Sequence, residues 1–401
     1  MTGNLIERDW SMSQAFWCSP LLPPLPQAET EGTDDLSLSS IGSGQRFKHD
    51  LLAYIRAYGS KLSILDSSLR AHDFGAIRAA FVASVPSKIR PTPNLQQTVW
   101  GLPALSRILS TIPSNAAYMS HIVTQVSSVA SVGDKWLTDT FFPTLSATST
   151  TGTKKPKQSI IFPTVAEIRN SIDGYASGGS IHMKTSTPPQ QRQLEFLRPM
   201  LCHWGPQPDR KISTTKAATP PQNSSEATIS TTPPRPAKTG KANRHPAAPH
   251  IKTYIRFSNS SMRSIDWAML TSANLSTQAW GTTNPQGECR ICSYEVGVVI
   301  WPDLFRANDD ESGATMAPVF KSNAPTDSDI EDVDPAARSD EAPELGKEVV
   351  VEEKQRTKTV VGLRMPYSLP LYPYGDGDEP WCATANYREP DWMGRRWMRG
   401  D

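Results

Sequence analysis

The chain has 401 residues, which is long enough for two ordinary domains and excludes a single small domain. Hydrophobic residues make up only 37% of the sequence and 35 residues are proline, so we expect some segments to stay outside any packed core. Lysine and arginine number 41 against 40 acidic residues, which excludes nucleic-acid binding driven by a strong overall positive charge.

Residues 1–22 lack the apolar centre of a signal peptide, and no segment approaches the roughly 18 apolar residues of a membrane helix. The five cysteines are spread along the chain, unlike the framework of a small disulfide-rich secreted protein. We therefore expect a soluble, intracellular protein in a reducing compartment.

The first predicted elements are helical. Apolar residues recur at three- and four-residue steps over residues 46–73, and Gly59 divides this pattern into two helices that should each bury one face. A short strand is predicted over residues 79–85, ended by Pro86. Pro91 and Pro93 then indicate a linker.

An alternating pattern of helices and strands follows this linker. Helices are predicted at 102–109 and 165–172, and strands at 122–132 and 159–162. We therefore place a domain boundary near residue 92, with a remnant of a first domain over 1–91 and a second domain over 92–401.

Two polar stretches interrupt the second predicted domain. Residues 205–249 are rich in Thr, Ser, Pro, Lys and Ala, and residues 308–358 are acidic and without periodicity. We interpret both as solvated insertions. Between them, strand patterns at 250–257, 267–273 and 292–301 give the densest strand signal in the sequence, so we expect the chemistry there.

The motif His250-Ile-Lys252 opens the first of these strands. Residues two apart in a strand point to the same face, so the imidazole and the ammonium should lie together. Such a pair suits a phosphoryl group, because the lysine supplies fixed positive charge and the histidine can transfer a proton or attack. Asn274 and Ser276 end the next apolar run and could hold oxygens. Taken alone, the motif is more typical of ordinary sheet surface.

A longer pattern changes this interpretation. The His250-x-Lys252 motif, followed by Ser272-Ala-Asn274-Leu-Ser276 and by Ser293-Tyr-Glu295-Val-Gly297, resembles the second catalytic motif of the tyrosyl-DNA phosphodiesterase family, within the phospholipase D superfamily. Further segments that resemble the family in order are Asn4-Leu-Ile-x-x-Asp9-Trp10, Ser127-Ser-Val129, Gly174-Tyr175-x-x-Gly178-Gly-Ser180, Met365-Pro-Tyr367 and Pro380-Trp381. The resemblance covers essentially the whole chain outside the two polar stretches.

The resemblance implies a mixed α/β, phospholipase D-like fold with sheets flanked by helices, made of an incomplete first domain and a complete second domain. It implies hydrolysis of the bond between a DNA 3′ end and a tyrosyl peptide of topoisomerase I, through a phosphohistidine and with no metal or cofactor. The expected partners are single- or double-stranded DNA with a blocked 3′ end and the topoisomerase-derived peptide, and the expected enzyme is a monomer in the nucleus.

The resemblance also implies roles for individual residues. His250 is the general acid and base, Lys252 and Asn274 hold the phosphate, and Asp9 orients His250. Glu295 would serve the opposite histidine, and Asn4 belongs to the same catalytic set. The residues expected to contact DNA are Lys252, Ser276, Ser128, Val129, Ala130, Ser131 and Ser180.

The sequence departs from the family at one point. The first His-x-Lys motif of the family precedes the segment that matches Asn4, whereas this sequence starts at Met1. We therefore expect the nucleophilic histidine to be absent, no other histidine to replace it, and full turnover to be lost. The interpretations, in order of preference, are a truncated fragment of an active enzyme, a genuine short isoform, and a pseudoenzyme that binds DNA 3′ ends. A phospholipase fits less well, because position 274 is asparagine where the lipid enzymes carry aspartate.

Two further patterns have simpler interpretations. Cys289 and Cys292 have the spacing of a metal-binding pair, but no second pair accompanies them, so we predict no metal site. Residues 235–244 are basic and suggest a nuclear address, although scattered cations in a proline-rich segment usually serve only solvation.

Overall fold

The computed structural model describes residues 6–26, 36–205, 241–306, 313–320, 322–326 and 359–398. Its α-helices are α1 (Gly44–Arg56), α2 (Ser63–Arg70), α3 (Gly101–Leu109), α4 (Asp134–Trp136), α5 (Phe142–Ser146), α6 (Val165–Arg169), α7 (Pro188–Leu197) and α8 (Thr277–Trp280). Its strands are β1 (Ala80–Ser84), β2 (Ser87–Ile89), β3 (His121–Gln125), β4 (Ser128–Val129), β5 (Lys157–Ile161), β6 (His182–Met183), β7 (Leu201–Cys202), β8 (Thr253–Phe257), β9 (Ile265–Thr271), β10 (Thr282–Thr283), β11 (Cys289–Ile291), β12 (Glu295–Ile300), β13 (Ala314–Val319) and β14 (Thr359–Arg364). The predicted class, mixed α/β with sheets flanked by helices, is confirmed.

A mixed sheet organises the molecule. Within the described residues it has nine strands, ordered β1, β12, β9, β8, β3, β5 and β7, with β13 paired to β9 and β14 paired to β13. The pairs from β1 through β3 are antiparallel, and β3, β5 and β7 are parallel to one another. Smaller sheets join β10, β11 and β2, and β4 with β6.

The strands bury both faces, because helices and loops cover the sheet on each side. Neighbouring residues of one strand enter different cores: Ile122 and Ile160 belong to one cluster, whereas Val123 and Ile161 belong to the other. This division follows from the alternation of side chains along a strand. It explains why these strands are nearly continuous apolar runs in the sequence.

The helical pattern near the amino terminus is only partly as predicted. Helix α1 begins after the Ser43 cap and packs Phe47 against Phe81 of β1, with ring centroids 5.4 Å apart. Helix α2, in contrast, has no buried residue, and Ile64 is 87% exposed. The expectation that both helices bury a face is therefore wrong for α2, which contacts the rest of the molecule mainly through α1 and the turn before it.

The domain boundary predicted near residue 92 does not coincide with an edge of the sheet. Strand β1 lies on the amino-terminal side of that boundary, yet it pairs with β12 along its whole length, from Ala80 with Val299 to Ser84 with Glu295. The division into domains over 1–91 and 92–401 remains a prediction, and the two parts share one sheet.

Most of the two predicted insertions lies outside the described residues. The described part of the first contains Ala248, which is fully buried. The described part of the second contains β13, which pairs in parallel with β14. These two pieces are packed structure, in contrast to the solvated character that we expected from composition. None of the helices in the described ranges is long and apolar enough to cross a membrane.

Candidate active site

His250 and Lys252 lie at the centre of the candidate site. They immediately precede β8, and the strand pairing continues backwards to them, because Thr271 N donates to Lys252 O at 3.1 Å. Their side chains meet: Lys252 Nζ is 3.3 Å from His250 Nε2, and the ammonium also donates to His250 O at 2.7 Å. The sequence prediction that both side chains point to the same side agrees with this geometry.

Burial sets the protonation of the pair. His250 is 6% exposed and Lys252 is 2% exposed, so both charged forms are poorly solvated. Burial first, and then the neighbouring Lys252 charge, hold the pKa of His250 well below its ordinary value, and the Asp9 carboxylate offsets only part of this effect. Burial also lowers the pKa of Lys252 to about 8, opposed by Glu295 and Asp9. A bound phosphate dianion would favour the protonated forms of both His250 and Lys252. Binding of an anionic substrate is therefore coupled to protonation of the site.

The amino-terminal segment orients His250. Ser13 N donates to Ala248 O at 2.8 Å and Ser13 O accepts from His250 N at 3.0 Å, which fixes the segment beside the motif. Asp9, in a 3-10 turn spanning Glu7–Ser11, places its Oδ1 3.9 Å from His250 Nδ1. The structure thus brings the predicted partner Asp9 beside a ring nitrogen of His250.

Gln14 is closer to the ring than Asp9, and sequence reasoning missed it. Its side-chain amide lies 3.1 Å from His250 Nδ1. The contacting atom is Gln14 Nε2, which also donates to Asp9 O at 3.4 Å and so ties the amide to the segment that carries Asp9. The amide and ammonium nitrogens only donate, and a neutral imidazole has one acceptor nitrogen, so the ring accepts from Gln14 or from Lys252 but not from both at once. No spacing rule in the sequence marks Gln14, because it reaches the site only through the tertiary contact of Ser13.

Asn274 is held firmly by the backbone of another loop. Its Oδ1 accepts hydrogen bonds from Ser127 N at 3.1 Å, Ser127 Oγ at 3.2 Å and Ser128 N at 2.9 Å. The buried Tyr254 of β8 donates to Ala273 O at 3.1 Å and so fixes the loop that carries Asn274. With its oxygen occupied, Asn274 presents its NH₂ group as a hydrogen-bond donor, which is the group that phosphoryl oxygens require.

The residues predicted to contact DNA lie near one another but differ in exposure. Val129 is 4% exposed and packs in the core, where it bridges Leu275, so its side chain is structural. Ala130 N donates to Leu275 O at 3.0 Å, and Ser131 Oγ accepts from Gln190 Nε2 at 3.0 Å. The remaining loop position, Ser128, pairs with His182.

Two other predicted DNA contacts adjoin helices. Ser180 ends a 3-10 segment, Gly174–Ser180, immediately before β6. Ser276 caps α8, since its Oγ accepts from Ala279 N at 3.1 Å. This capping is a structural role for Ser276 beside its predicted contact with DNA.

Glu295 lies beside Ser272 and within the electrostatic influence of Lys252. It begins β12 and accepts a hydrogen bond from Ser272 Oγ at 2.5 Å. Burial raises its pKa, while the bond from Ser272 and attraction to Lys252 act in the opposite direction. Its expected role toward the opposite histidine stays a prediction. Asn4, the other member of the predicted catalytic set, lies outside the described residues.

Sequence reasoning also missed His182. The order His182-Met183-Lys184 repeats the His-x-Lys spacing, so the expectation that no other histidine replaces the missing nucleophile dismissed His182 wrongly, on the ground that no lysine follows it two residues on. His182 lies in β6 and its N donates to Ser127 O at 2.9 Å, next to the residues that hold Asn274.

The described residues contain no group of three or more His, Cys, Asp or Glu side chains that could hold a metal ion. Cys289 lies buried in β11, whereas Cys292 is exposed. These two cysteines, for which we predicted no metal site, thus lie in different environments.

The mixed sheet flanked by helices has a counterpart among solved structures. A crystal structure of yeast tyrosyl-DNA phosphodiesterase superposes with a TM-score of 0.51 at 18% identity, covering 91% of this chain and 68% of that one. The chain therefore has the phospholipase D-like fold, the fold class that we expected.

The sequence comparisons identify the family. The family described as tyrosyl-DNA phosphodiesterase matches residues 1–375, so this chain belongs to that family of phosphodiesterases, which are hydrolases. A probable tyrosyl-DNA phosphodiesterase of Schizosaccharomyces pombe is 28% identical over 99% of this chain and 73% of its own length. Tyrosyl-DNA phosphodiesterase 1 of Drosophila melanogaster is 30% identical over 79% of this chain and 50% of its own length. The chain thus spans between about half and three quarters of these relatives.

Proposed function

We propose that this chain acts in DNA repair by hydrolysing the phosphodiester bond between a DNA 3′ end and a tyrosyl residue of a topoisomerase I peptide. The observation that carries the proposal is the contact, at 3.3 Å, between the buried side chains of His250 and Lys252, with Asp9 and Gln14 at the other ring nitrogen. Family membership supports the substrate class.

In the proposed reaction, His250 transfers protons while the other groups bind phosphate. The phosphate brings negative charge into the pocket, which favours a protonated His250 ring. As a nucleophilic histidine of the family's first motif bonds to phosphorus, the bond between phosphorus and the tyrosyl oxygen breaks, the His250 proton passes to the phenolate oxygen, and the tyrosyl peptide leaves. The ring can then accept a proton from the water that hydrolyses the phosphorylated intermediate.

Lys252 and Asn274 stabilise the charge that develops on the non-bridging oxygens. The Lys252 ammonium is buried and therefore acts in a medium of low dielectric constant, where its charge is most effective. The Asn274 amide is already oriented by three hydrogen bonds, so little reorganisation is needed during the reaction. The intermediate that we propose is a phosphohistidine on a nucleophilic histidine of the family's first motif.

The second candidate function is binding of DNA 3′ ends without turnover. It is favoured by one specific observation: the phosphate-binding groups Lys252 and Asn274 are positioned by buried contacts that do not depend on a nucleophile. For either function, we propose that the protein acts as a monomer in the nucleus, where its DNA substrate is found.

A gel assay with an oligonucleotide bearing a 3′-phosphotyrosine distinguishes the two functions. In a chain extended at its amino terminus by a segment that carries the family's first His-x-Lys motif, we expect conversion to the 3′-phosphate to be lost in His250→Asn and to persist in His72→Asn. The His72 ring bonds the backbone carbonyl of Ser68 in α2, away from the site. Binding of the oligonucleotide with no conversion by the unaltered chain supports the binding function instead. Equal rates for the extended chain with and without His250→Asn would refute the role of His250.

A further inference from the structure

His182 and Lys184 are exposed on one side of a short strand. Ile181 and Met183 are buried, at 0% and 4% exposure, and alternate with the exposed His182 and Lys184. Because neighbouring side chains of a strand point to opposite faces, His182 and Lys184 share the solvent-facing side.

This strand is attached directly to the loop that holds Asn274. His182 N donates to Ser127 O at 2.9 Å, and His182 pairs with Ser128 in the β4–β6 sheet. The same two serines supply the hydrogen bonds to Asn274 Oδ1, from Ser127 N and Oγ and from Ser128 N. His182 is therefore connected to the candidate phosphate-binding amide through one pair of backbone segments.

His182 is also electrostatically close to His250. Positive charge on His182 disfavours protonation of His250 and contributes to its lowered pKa. Each imidazole thus senses the charge of the other across the site.

We propose that His182 and Lys184 form a second His-x-Lys pair at the rim of this site, where they bind the non-bridging oxygens of the phosphoryl group at a DNA 3′ end. This inference rests on the proposed function and extends it to two further residues. His182 donates a hydrogen bond to the phosphoryl group and Lys184 adds a fixed positive charge beside it. His182 is a positioning residue in this role: it holds the phosphorus over His250 and Lys252, and it makes the site select phosphorylated ends.

Fluorescence anisotropy with two single-stranded oligonucleotides tests the proposal. The probes share one sequence and end in a 3′-phosphate or a 3′-hydroxyl, and the measured quantity is the ratio of their dissociation constants. We expect His182→Gln to reduce the preference for the 3′-phosphate about tenfold, the size of one charge-assisted hydrogen bond. Lys184→Gln should reduce the preference less, and His182→Lys should restore part of it.

Matched controls are His72→Gln and Lys61→Gln, which alter a histidine and a lysine of the α2 region. Both should keep the preference of the unaltered chain. A second readout is the pKa of His250 followed by NMR, which we expect to rise in His182→Gln because a repulsive neighbour is removed. Loss of structure would return the pKa of His250 to about its ordinary value of 6.5, whereas removal of one repulsive neighbour raises it only part of the way, so the size of the rise distinguishes the two.

Three outcomes are informative. A reduced preference together with a raised His250 pKa supports the proposal. An unchanged preference in both His182→Gln and Lys184→Gln overturns it while leaving the proposed function intact. If the unaltered chain shows no preference for the 3′-phosphate at all, both this inference and the proposed function are refuted.

Discussion

Replacing Lys252 by methionine should stabilise the protein while removing phosphate binding. Lys252 is 2% exposed, and burial lowers its pKa from 10.5 to about 8. At 1.36 kcal/mol for each pH unit, this difference corresponds to about 3 kcal/mol of destabilisation by the protonated lysine at neutral pH. Methionine keeps the apolar stem but cannot donate to His250 O, a loss of about 1 kcal/mol. We therefore expect a net gain of about 2 kcal/mol in the free energy of unfolding at pH 7.

The pH dependence of this gain identifies its cause. Between pH 8 and pH 10.5 the folded lysine has lost its proton while the unfolded lysine keeps it, so the unfolded state binds more protons. The stability of the unaltered protein then rises with pH in this window, and Lys252→Met lacks this contribution. The difference between the two proteins should therefore shrink by about 2 kcal/mol between pH 7 and pH 9.5.

Urea unfolding at pH 7, 8.5 and 9.5 measures these differences. Lys61→Met is the matched control, because Lys61 is exposed and its replacement should change stability by less than about 0.5 kcal/mol at every pH. A variant Lys252→Met that is less stable than the unaltered protein at pH 7 would refute the reasoning. So would a stability difference that stays constant with pH.

Two further predictions concern the core. Burial and, secondarily, Lys157 lower the pKa of His121 to about 4, so the unfolded state binds more protons between about pH 6.5 and pH 4 and stability falls as pH decreases through that window. In urea unfolding, the stability of His121→Gln should fall less steeply with decreasing pH than the stability of the unaltered protein. An equally steep fall would contradict the assignment of this pH dependence to His121. Trp381 is fully buried and stacks on Tyr175 and Tyr387, so Trp381→Ala should cost about 3–5 kcal/mol in urea unfolding and Trp381→Phe clearly less. A loss below about 1 kcal/mol for Trp381→Ala would show that this aromatic stack carries little stability.

The sequence was most informative for elements whose signal lies within their own residues. The periodicity around Phe47 predicts α1, and the apolar runs predict β1, β5, β8, β9 and β12 within a few residues of their observed bounds. The same reasoning failed for α2, because its helical periodicity does not reveal whether another element covers it. It also failed for β13, whose partner β14 follows a long polar stretch and so gives no local signal.

In the candidate site, too, local spacing was predictable and contacts between distant segments were not. The His250-x-Lys252 spacing is local, and it correctly predicted that the two side chains meet. The identical spacing at His182 was available, but His182 was dismissed because Lys184 was not recognised two residues after it. Gln14 could not have been found in this way, because it reaches His250 across 236 residues of sequence.

By itself, the sequence determined the type of those elements that carry a local periodicity and the pairing of His250 with Lys252, because strand and helix periodicities depend on residues a few positions apart. Only the tertiary structure decided the environment of that pair: Ser13 fixing the amino-terminal segment beside it, Gln14 at one ring nitrogen and Glu295 acting on Lys252. These contacts arise from packing between distant segments, and it is the resulting burial that lowers the pKa values of both groups.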